Sequence, residues 1–228
     1  YRLDGPERVA FLKSSPVAPF AELLGERERL DWLRGRLPVP QVLGYAVEGG
    51  REFLLLSAIP GIDTSSSALD MPDLDLARLL ARGLRMVHEV PIRDCPFDMT
   101  LDREIPRVER NVELGLIDVD DLDPPRTGSS PEALFQRLIS SRPATEDLVF
   151  THGDYCLPNI LVDGGEISGS VDIGRAGVAD RYKDIALAVR SIRRNNGEAL
   201  VRPFLDEYGV RASDAGKTEY YMLLDEFW

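Results

Sequence analysis

Residues 152–159, His-Gly-Asp-Tyr-Cys-Leu-Pro-Asn, are the strongest indication of the fold, together with Val-Asp-Ile-Gly at residues 171–174. Asp154 and Asn159 lie in the first stretch, and a pattern typical of a β-hairpin separates them from Asp172. A short hairpin returns the chain to its starting point, so these three side chains are expected to converge. Carboxylate and amide oxygens are suitable ligands for Mg²⁺, which bridges phosphate groups. The pattern therefore predicts a site for a metal-bound polyphosphate.

The spacing of these residues matches the catalytic loop of kinases, in which an Asp accepts the proton of the substrate hydroxyl and an Asn binds the metal. The later Asp-x-Gly matches the element whose Asp holds Mg²⁺ against the nucleotide. On this basis we predict Asp154 as the catalytic base, and Asn159 and Asp172 as metal ligands. A His-Gly-Asp turn alone could merely cap a strand, but the whole combination at these intervals is specific.

A second constellation combines Lys13, at the end of the strand-like stretch 9–13, with Glu26 on the following predicted helix. In kinases a strand Lys held by a helical Glu grips the α- and β-phosphates. An unrelated surface ion pair is the alternative, since such pairs are common and weak. The order of Lys, helix, hinge and catalytic loop along the chain favours the kinase interpretation. Glu22 and Glu28 are alternatives to Glu26 as the partner of Lys13.

The pattern of elements is rich in strands before about Gly61 and rich in helices after it, which predicts an α+β protein of two lobes. We predict a nucleotide-binding lobe at 1–60, a hinge at 56–61, and a catalytic and substrate-binding lobe at 61–228. A turn is predicted at 4–7 and a polar loop at 63–67. The predicted strands lie at 1–3, 9–13, 41–47, 51–57, 148–151, 160–162 and 167–171, and the predicted helices at 20–35, 76–87, 102–116, 131–141, around 185–192, and twice more before the end.

The amino-acid composition argues against several classes of protein. The 228 residues include 39 acidic and 27 basic side chains, for a net charge of −12, which disfavours nucleic acid and anionic membranes and suits a cationic ligand. No run of eighteen apolar residues and no signal-peptide pattern is present. The two cysteines, Cys95 and Cys156, are too far apart for a zinc motif. We therefore expect a cytoplasmic protein without a membrane span.

These motifs resemble the aminoglycoside 3'-phosphotransferases, or kanamycin kinases, over nearly the whole chain. The resemblance implies a bilobal, protein-kinase-like fold, with a small antiparallel sheet in the N-terminal lobe and a larger, mainly helical C-terminal lobe. No Gly-rich phosphate loop is present; in this fold it would precede Tyr1, so the sheet is expected to be incomplete at its start. The motifs that carry the resemblance lie at residues 37–40, 94–96, 152–159, 168–175, 179–182, 184–186 and 224–227.

The resemblance also implies roles for single residues. Lys13 and Glu26 grip the phosphates, Phe11 stacks on adenine, and Leu56, Ser57 and Ala58 form the hinge. The implied substrate-binding residues, which contact the antibiotic or cover it, are Asp123, Arg190, Asp225, Glu226 and Trp228.

The implied cofactors are ATP, with GTP as an alternative, and Mg²⁺. The implied partner is an aminoglycoside, bound by a monomer or weak dimer. Transfer to the 3'-hydroxyl of the kanamycin and neomycin class, with resulting resistance, is the predicted activity.

Several alternatives stay open at this point. The acceptor could be choline, a macrolide or a metabolite, or the chain could be an inactive kinase-like binding module. The acidic stretch 118–123 is either a solvated loop or a substrate cover. Arg175 and Arg190 either stabilise phosphate charge or pair with Asp180 or Asp184. We expect His152 to brace the catalytic loop, and Asp184 to accept backbone hydrogen bonds from it.

Overall fold

The computed structural model describes residues 1–5, 9–17, 22–212 and 214–228. Its N-terminal part is a four-stranded antiparallel sheet with the strand order β1-β2-β4-β3. The four strands predicted before residue 60 are confirmed, and they pair as two antiparallel hairpins, β1 with β2 and β3 with β4. Residues 6 and 7 of the predicted turn and residues 20 and 21 of the predicted first helix lie outside the described residues. The strands are β1 (Arg2–Asp4), β2 (Val9–Pro16), β3 (Val42–Glu48) and β4 (Arg51–Ser57).

Helix α1 (Glu22–Leu33) is anchored to this sheet by Glu52 of β4. The Glu52 side chain is fully buried, and its carboxylate accepts hydrogen bonds from the backbone N–H groups of Leu23 (3.2 Å) and Leu24 (2.9 Å) and from the hydroxyl of Tyr45 (2.7 Å). The first N–H groups of a helix have no partner within the helix, and they carry partial positive charge. Glu52 therefore ties the start of α1 to the sheet.

The C-terminal part consists mainly of helices, as the sequence predicts. Short strands interrupt them, and β9 has no counterpart among the predicted elements, while β5 lies at the start of a stretch predicted as a loop. The helices are α2 (Asp73–His88), α3 (Leu101–Glu113), α4 (Pro131–Ser140), α5 (Tyr182–Asn195), α6 (Val201–Tyr208) and α7 (Ala215–Asp225). The strands are β5 (Ile62–Asp63), β6 (Leu148–Thr151), β7 (Ile160–Asp163), β8 (Glu166–Ser170) and β9 (Gly177–Asp180).

Two small sheets position the segments that carry the motifs. Strands β5, β7 and β8 form one sheet, and β6 pairs with β9 in the other. Residues 152–159 therefore connect β6 to β7, and Asp172 lies in the connection between β8 and β9. A hydrogen bond from the backbone N–H of Val171 to the carbonyl of Asn159 (2.9 Å) holds these two connections side by side.

Helix α5 lies at the centre of the C-terminal core. It packs against α7 and α6, and α6 packs in turn against α2. Within the described ranges, no helix is both long enough and apolar enough to cross a membrane. The buried apolar side chains of α5 are Ile185, Ala186, Leu187, Ala188, Val189 and Ile192.

We predict that Glu52→Ala lowers the free energy of unfolding by about 1–3 kcal/mol, because three donors lose a buried acceptor. Urea denaturation measures this change. Glu48→Ala, which removes an exposed carboxylate from β3, serves as the control and leaves the free energy of unfolding within about 0.5 kcal/mol. Equal stability of the Glu52→Ala variant and the wild type would contradict the role of Glu52 as an anchor.

Candidate active site

The buried carboxylate of Asp184, on α5, holds the start of the catalytic loop. Its two oxygens accept the backbone N–H groups of His152 (2.7 Å) and Gly153 (2.8 Å), and one of them also contacts Nε2 of His88 (3.1 Å). The expectation that Asp184 accepts backbone hydrogen bonds from this loop is confirmed. Burial raises the pKa of Asp184, but the hydrogen bond and charge of His88, with the contribution of His152, outweigh it, so the pKa lies below its ordinary value.

Gly153 allows the loop to approach the chain that follows Asp172. Its φ of 85° lies in the left-handed region, and a Cβ at this position would stand 2.1 Å from the carbonyl oxygen of Arg175. A larger residue here would push the catalytic loop away from the segment that carries Asp172.

His152 braces the loop from inside the protein. Its ring is buried, and Nδ1 accepts the backbone N–H of Asp154 at 3.2 Å. Burial lowers the pKa of His152, against the opposing effect of Asp184, so the imidazole is neutral at physiological pH. A neutral, buried ring fits the expected structural role.

Asp154 and Asn159, predicted from their spacing, meet in the structure. The side-chain amide nitrogen of Asn159 donates to a carboxylate oxygen of Asp154 (2.9 Å) and to its carbonyl oxygen (3.1 Å). The other carboxylate oxygen lies 3.5 Å from a guanidinium nitrogen of Arg175. The Asp154 side chain is 27% exposed, so a substrate hydroxyl can reach it.

Lys13 connects the sheet to the segment of Asp172. Its ammonium contacts both carboxylate oxygens of Glu26 (2.6 and 2.8 Å) and also donates to the carboxylate of Asp172. The predicted pair of Lys13 and Glu26 is confirmed. Burial lowers the pKa of Lys13, but the opposing effect of the two carboxylates is larger. The pKa of Lys13 therefore lies above its ordinary value, and Lys13 stays charged.

The backbone of Asp172 is strained. Its φ is 58°, and among the described residues it is the one non-glycine residue with a positive φ. Residues in sparsely populated backbone regions occur mainly at functional sites, where the surrounding structure holds them in place. Here the carboxylate, 48% exposed, faces the end of Lys13.

Asn159 and Asp172 suit a magnesium ion that also binds phosphate. The Asn159 amide nitrogen is committed to Asp154, which leaves its amide oxygen for a cation. Within the described part of the chain, no group of three or more His, Cys, Asp or Glu residues could hold a metal by itself. Mg²⁺ commonly takes one or two protein ligands and completes its shell with substrate phosphates and water. The donor set therefore fits Mg²⁺ bound together with a nucleotide.

The predicted nucleotide-base residues lie together at the end of β4. Leu56 of β4 pairs with Phe11 of β2, and the Phe11 side chain is 43% exposed. The backbone N–H of Ser57 donates to the carbonyl of Gln41 (2.9 Å), so it is already used within the protein. The N–H of Ala58 reaches an acceptor only at 3.4 Å. Of these two backbone N–H groups, that of Ala58 is therefore the more available to an external acceptor.

The predicted substrate-binding residues Asp123, Arg190 and Asp225 form one network of ion pairs beside Asp154. Arg175 bridges Asp154 and Asp225, and its contact with Asp225 is 2.7 Å. Arg190 bridges Asp225 (2.5 Å) and Asp123 (3.2 Å). Burial raises the pKa of Asp225, but the two guanidinium groups outweigh it and hold the pKa below its ordinary value.

Of the two alternatives for Arg175 and Arg190, pairing with Asp180 or Asp184 is not what the structure shows. Asp180 pairs with Lys217 (2.5 Å), and Asp184 binds the catalytic loop, so neither is available to the two arginines. The reason is spatial, because α7 brings Asp225 to the arginines from the far end of the chain.

Glu226 belongs to the same network, and it leads to a residue that the sequence analysis missed. Glu226 accepts the backbone N–H of Asp123 (3.0 Å) and a hydrogen bond from Arg126 (2.9 Å). No motif marks Arg126, because the acceptors of its hydrogen bonds, Glu226 and Glu219, are distant in sequence. Trp228 lies nearby in sequence but stacks on the guanidinium of Arg107 at 4.5 Å and is 39% exposed.

We predict that His152→Asn reduces the loss of stability on acidification. Because the folded pKa of His152 is lowered from 6.5, the stability it contributes is present above pH 6.5 and is lost as the pH falls through the folded pKa. Each proton difference changes the free energy of unfolding by up to about 1.4 kcal/mol per pH unit. Urea denaturation between pH 8 and pH 5 should give a shallower decline for the variant. Identical slopes below pH 6.5 would be inconsistent with a buried neutral His152.

Comparison with known proteins identifies the family. The model of the "Phosphotransferase enzyme family" matches residues 1–222. An aminoglycoside 3'-phosphotransferase of Niallia circulans is 44% identical over 96% of this chain and 84% of its own length. Another, of Streptomyces fradiae, is 38% identical over 100% of this chain and 90% of its own length.

Solved structures agree with this result. The crystal structure of aminoglycoside-3'-phosphotransferase of type VIII aligns with 100% of this chain and 88% of its own chain, at a TM-score of 0.93 and 38% identity. An aminoglycoside phosphotransferase of Streptomyces rimosus, in complex with ADP and streptomycin, has a TM-score of 0.82 and 29% identity, covering 96% of this chain and 86% of its own. The predicted α+β, kinase-like fold is confirmed. The chain belongs to the phosphotransferase enzyme family, and its resemblance to the aminoglycoside 3'-phosphotransferases is confirmed.

Proposed function

We propose that this enzyme transfers the γ-phosphoryl group of ATP to the 3'-hydroxyl of kanamycin- and neomycin-class aminoglycosides, and so confers resistance to them. The observation that carries the proposal is the convergence of Lys13, Asp154, Asn159 and Asp172 beside the network around Asp225. Curated relatives that share up to 44% of its sequence are aminoglycoside 3'-phosphotransferases, which supports the same acceptor position here.

On the nucleotide side, residues 1–60 bind ATP, and residues 56–61 act as the hinge to the acceptor-binding lobe at 61–228. Lys13, charged and held by Glu26, contacts the α- and β-phosphates. Phe11 stacks on adenine, and the backbone N–H of Ala58 is the hinge donor. The related S. rimosus structure contains ADP, which supports the use of an adenine nucleotide.

Asn159 and Asp172 would hold Mg²⁺ when the nucleotide is bound. The ion would neutralise phosphate charge and keep the γ-phosphoryl group in line for attack. The side-chain nitrogen of Asn159 would at the same time keep the Asp154 carboxylate in place.

Asp154 accepts the proton of the 3'-hydroxyl as the hydroxyl oxygen forms its bond to the γ-phosphorus. The bond from that phosphorus to the bridging oxygen breaks, and the electron pair leaves with ADP. Asn159 and Arg175 contact opposite oxygens of the Asp154 carboxylate, which orients it towards the hydroxyl. Catalysis in this scheme is mainly positioning and electrostatic stabilisation.

The acceptor side suits a polyamine because carboxylates surround it and the whole chain has a charge of −12. Asp123 and Asp225 are the proposed acidic contacts, and Arg190 and Trp228 complete the proposed acceptor surface. The Glu226 carboxylate, which was expected to contact the antibiotic, is instead bound by Arg126 and by the backbone N–H of Asp123. We place the enzyme in the cytoplasm, where ATP is available, as a monomer or weak dimer.

We expect Asp154→Ala to lower kcat for kanamycin by at least ~10², because the hydroxyl loses its base and its orienting partner. Kanamycin binding, measured by calorimetry, should stay within about fivefold of wild type. Asp163→Asn, which changes an exposed carboxylate at the end of β7, is the matched control and should keep wild-type kcat. Near wild-type turnover in Asp154→Ala, or no turnover in wild type, would refute the catalytic assignment.

Regiochemistry distinguishes the proposed activity from that of a kinase with another acceptor. Kanamycin and neomycin should accept labelled phosphate from ATP, whereas a 3'-deoxy aminoglycoside, which lacks the proposed acceptor oxygen, should not. Mass spectrometry of the products, with growth of a susceptible bacterium carrying the gene, measures both effects. Labelling of choline without labelling of kanamycin would overturn the proposed substrate, and labelling of the 3'-deoxy compound would overturn the proposed position.

A further inference from the structure

Arg126 joins the connection between α3 and α4 (residues 114–130) to helix α7. Its side chain is 2% exposed. One terminal guanidinium nitrogen donates to Glu226 (2.9 Å) and also lies 3.8 Å from the carboxylate of Asp123. The other terminal nitrogen donates to Glu219 of α7 (2.8 Å). A single buried cation therefore contacts three carboxylates, two of which lie on or directly after α7.

Glu226 is fully committed to this connection. One carboxylate oxygen accepts the hydrogen bond from Arg126, the other accepts the backbone N–H of Asp123 (3.0 Å), and its side chain is 4% exposed. In this arrangement Glu226 holds the α3–α4 connection more than it offers an open oxygen to a substrate amine. Arg126 and Glu226 together hold the backbone of Asp123.

The position of Asp123 matters because its carboxylate reaches the network beside the catalytic base. It contacts Arg190 (3.2 Å), which contacts Asp225, which in turn contacts Arg175 next to Asp154. A displacement of the α3–α4 connection would move one carboxylate of the acceptor side without moving Lys13, Asn159 or Asp172.

Arginine has a geometry that lysine lacks for this task. A planar guanidinium can donate to two carboxylates at once from its two terminal nitrogens, whereas a lysine ammonium is a compact point charge on a flexible chain. Different terminal nitrogens of Arg126 bind Glu219 and Glu226, so the contact depends on the planar geometry of the guanidinium as well as on its charge. Burial of the cation makes loss of either partner costly.

We propose that Arg126 is a positioning residue of the acceptor site: its buried guanidinium fixes the α3–α4 connection against α7, and thereby sets the affinity for a polycationic acceptor. This inference rests on the proposed function, because it takes an aminoglycoside as the acceptor. Arg126 does not touch the nucleotide site or the reacting atoms in this scheme. It acts through Asp123 and Glu226.

The test compares Arg126→Lys and Arg126→Met with the control Arg137→Met. Arg137 contacts the same Glu219 oxygen (3.0 Å), but its side chain is 51% exposed. For both Arg126 variants we expect the KM for kanamycin to rise about tenfold, with kcat and the KM for ATP within about threefold of wild type. The control should keep all three parameters within about twofold of wild type.

The charge-preserving variant separates positioning from simple electrostatics. If only the charge of Arg126 mattered, Arg126→Lys would behave as wild type, and Arg126→Met would bind the polycation more tightly, because three carboxylates would lose one of their cationic partners. That pattern would overturn the proposal. A parallel loss of kcat and of both substrate affinities would also overturn it, since it would indicate general damage to the fold. Should Arg126→Met fail to fold, Arg126→Lys decides between the two interpretations.

Hydrogen exchange of the α3–α4 connection gives a readout that needs no substrate. We expect the amides of this segment to exchange at least about threefold faster in the Arg126 variants than in wild type and Arg137→Met. Equal exchange in all four proteins would overturn the proposal. If wild type fails to phosphorylate any aminoglycoside, the proposed function fails, and the exchange rates still decide whether Arg126 holds this segment.

Discussion

The buried carboxylate of Asp184 is the interaction on which the active site depends. It accepts hydrogen bonds from two backbone N–H groups of the catalytic loop, and it thereby fixes the direction in which the loop leaves β6. An unpaired carboxylate at this depth would be very costly, so the loop and α5 are only stable together. Because α5 is the most enclosed helix of the C-terminal part, the position of Asp154 follows from the packing of the whole core.

A second constraint is the repulsion among acidic groups that must lie close together. On the nucleotide side, Lys13 stands between Glu26 and Asp172. On the acceptor side, arginines alternate with carboxylates, so that Arg175 separates Asp154 from Asp225. Alternation of charges offsets the repulsion among these carboxylates, and it leaves their exposed edges to a cationic acceptor. Repulsion between carboxylates is thus offset by a lysine on the nucleotide side and by arginines on the acceptor side.

Much of the architecture could be read from local patterns. The hairpins, the helical part and the pairing of Lys13 with Glu26 follow from side-chain periodicity and from motif order, which depend on neighbouring residues. Strand β9 was missed because its four residues, Gly177–Asp180, are strand only through pairing with β6. Asp225 was not among the partners considered for Arg175 and Arg190, because it comes from another helix and sequence spacing carries no information about that distance.

The candidate residues came from the sequence alone, since an Asp, an Asn and a second Asp at these intervals predict a site for a metal and a phosphoryl group. How charged groups and hydrogen bonds pair with one another became apparent only from the folded chain. The structure showed that Glu226 is enclosed by Arg126 and the backbone of Asp123, and that the N–H of Ser57 is already used within the protein. The physical reason is that hydrogen bonding and burial are properties of the packed chain, where residues a hundred positions apart compete for the same partners.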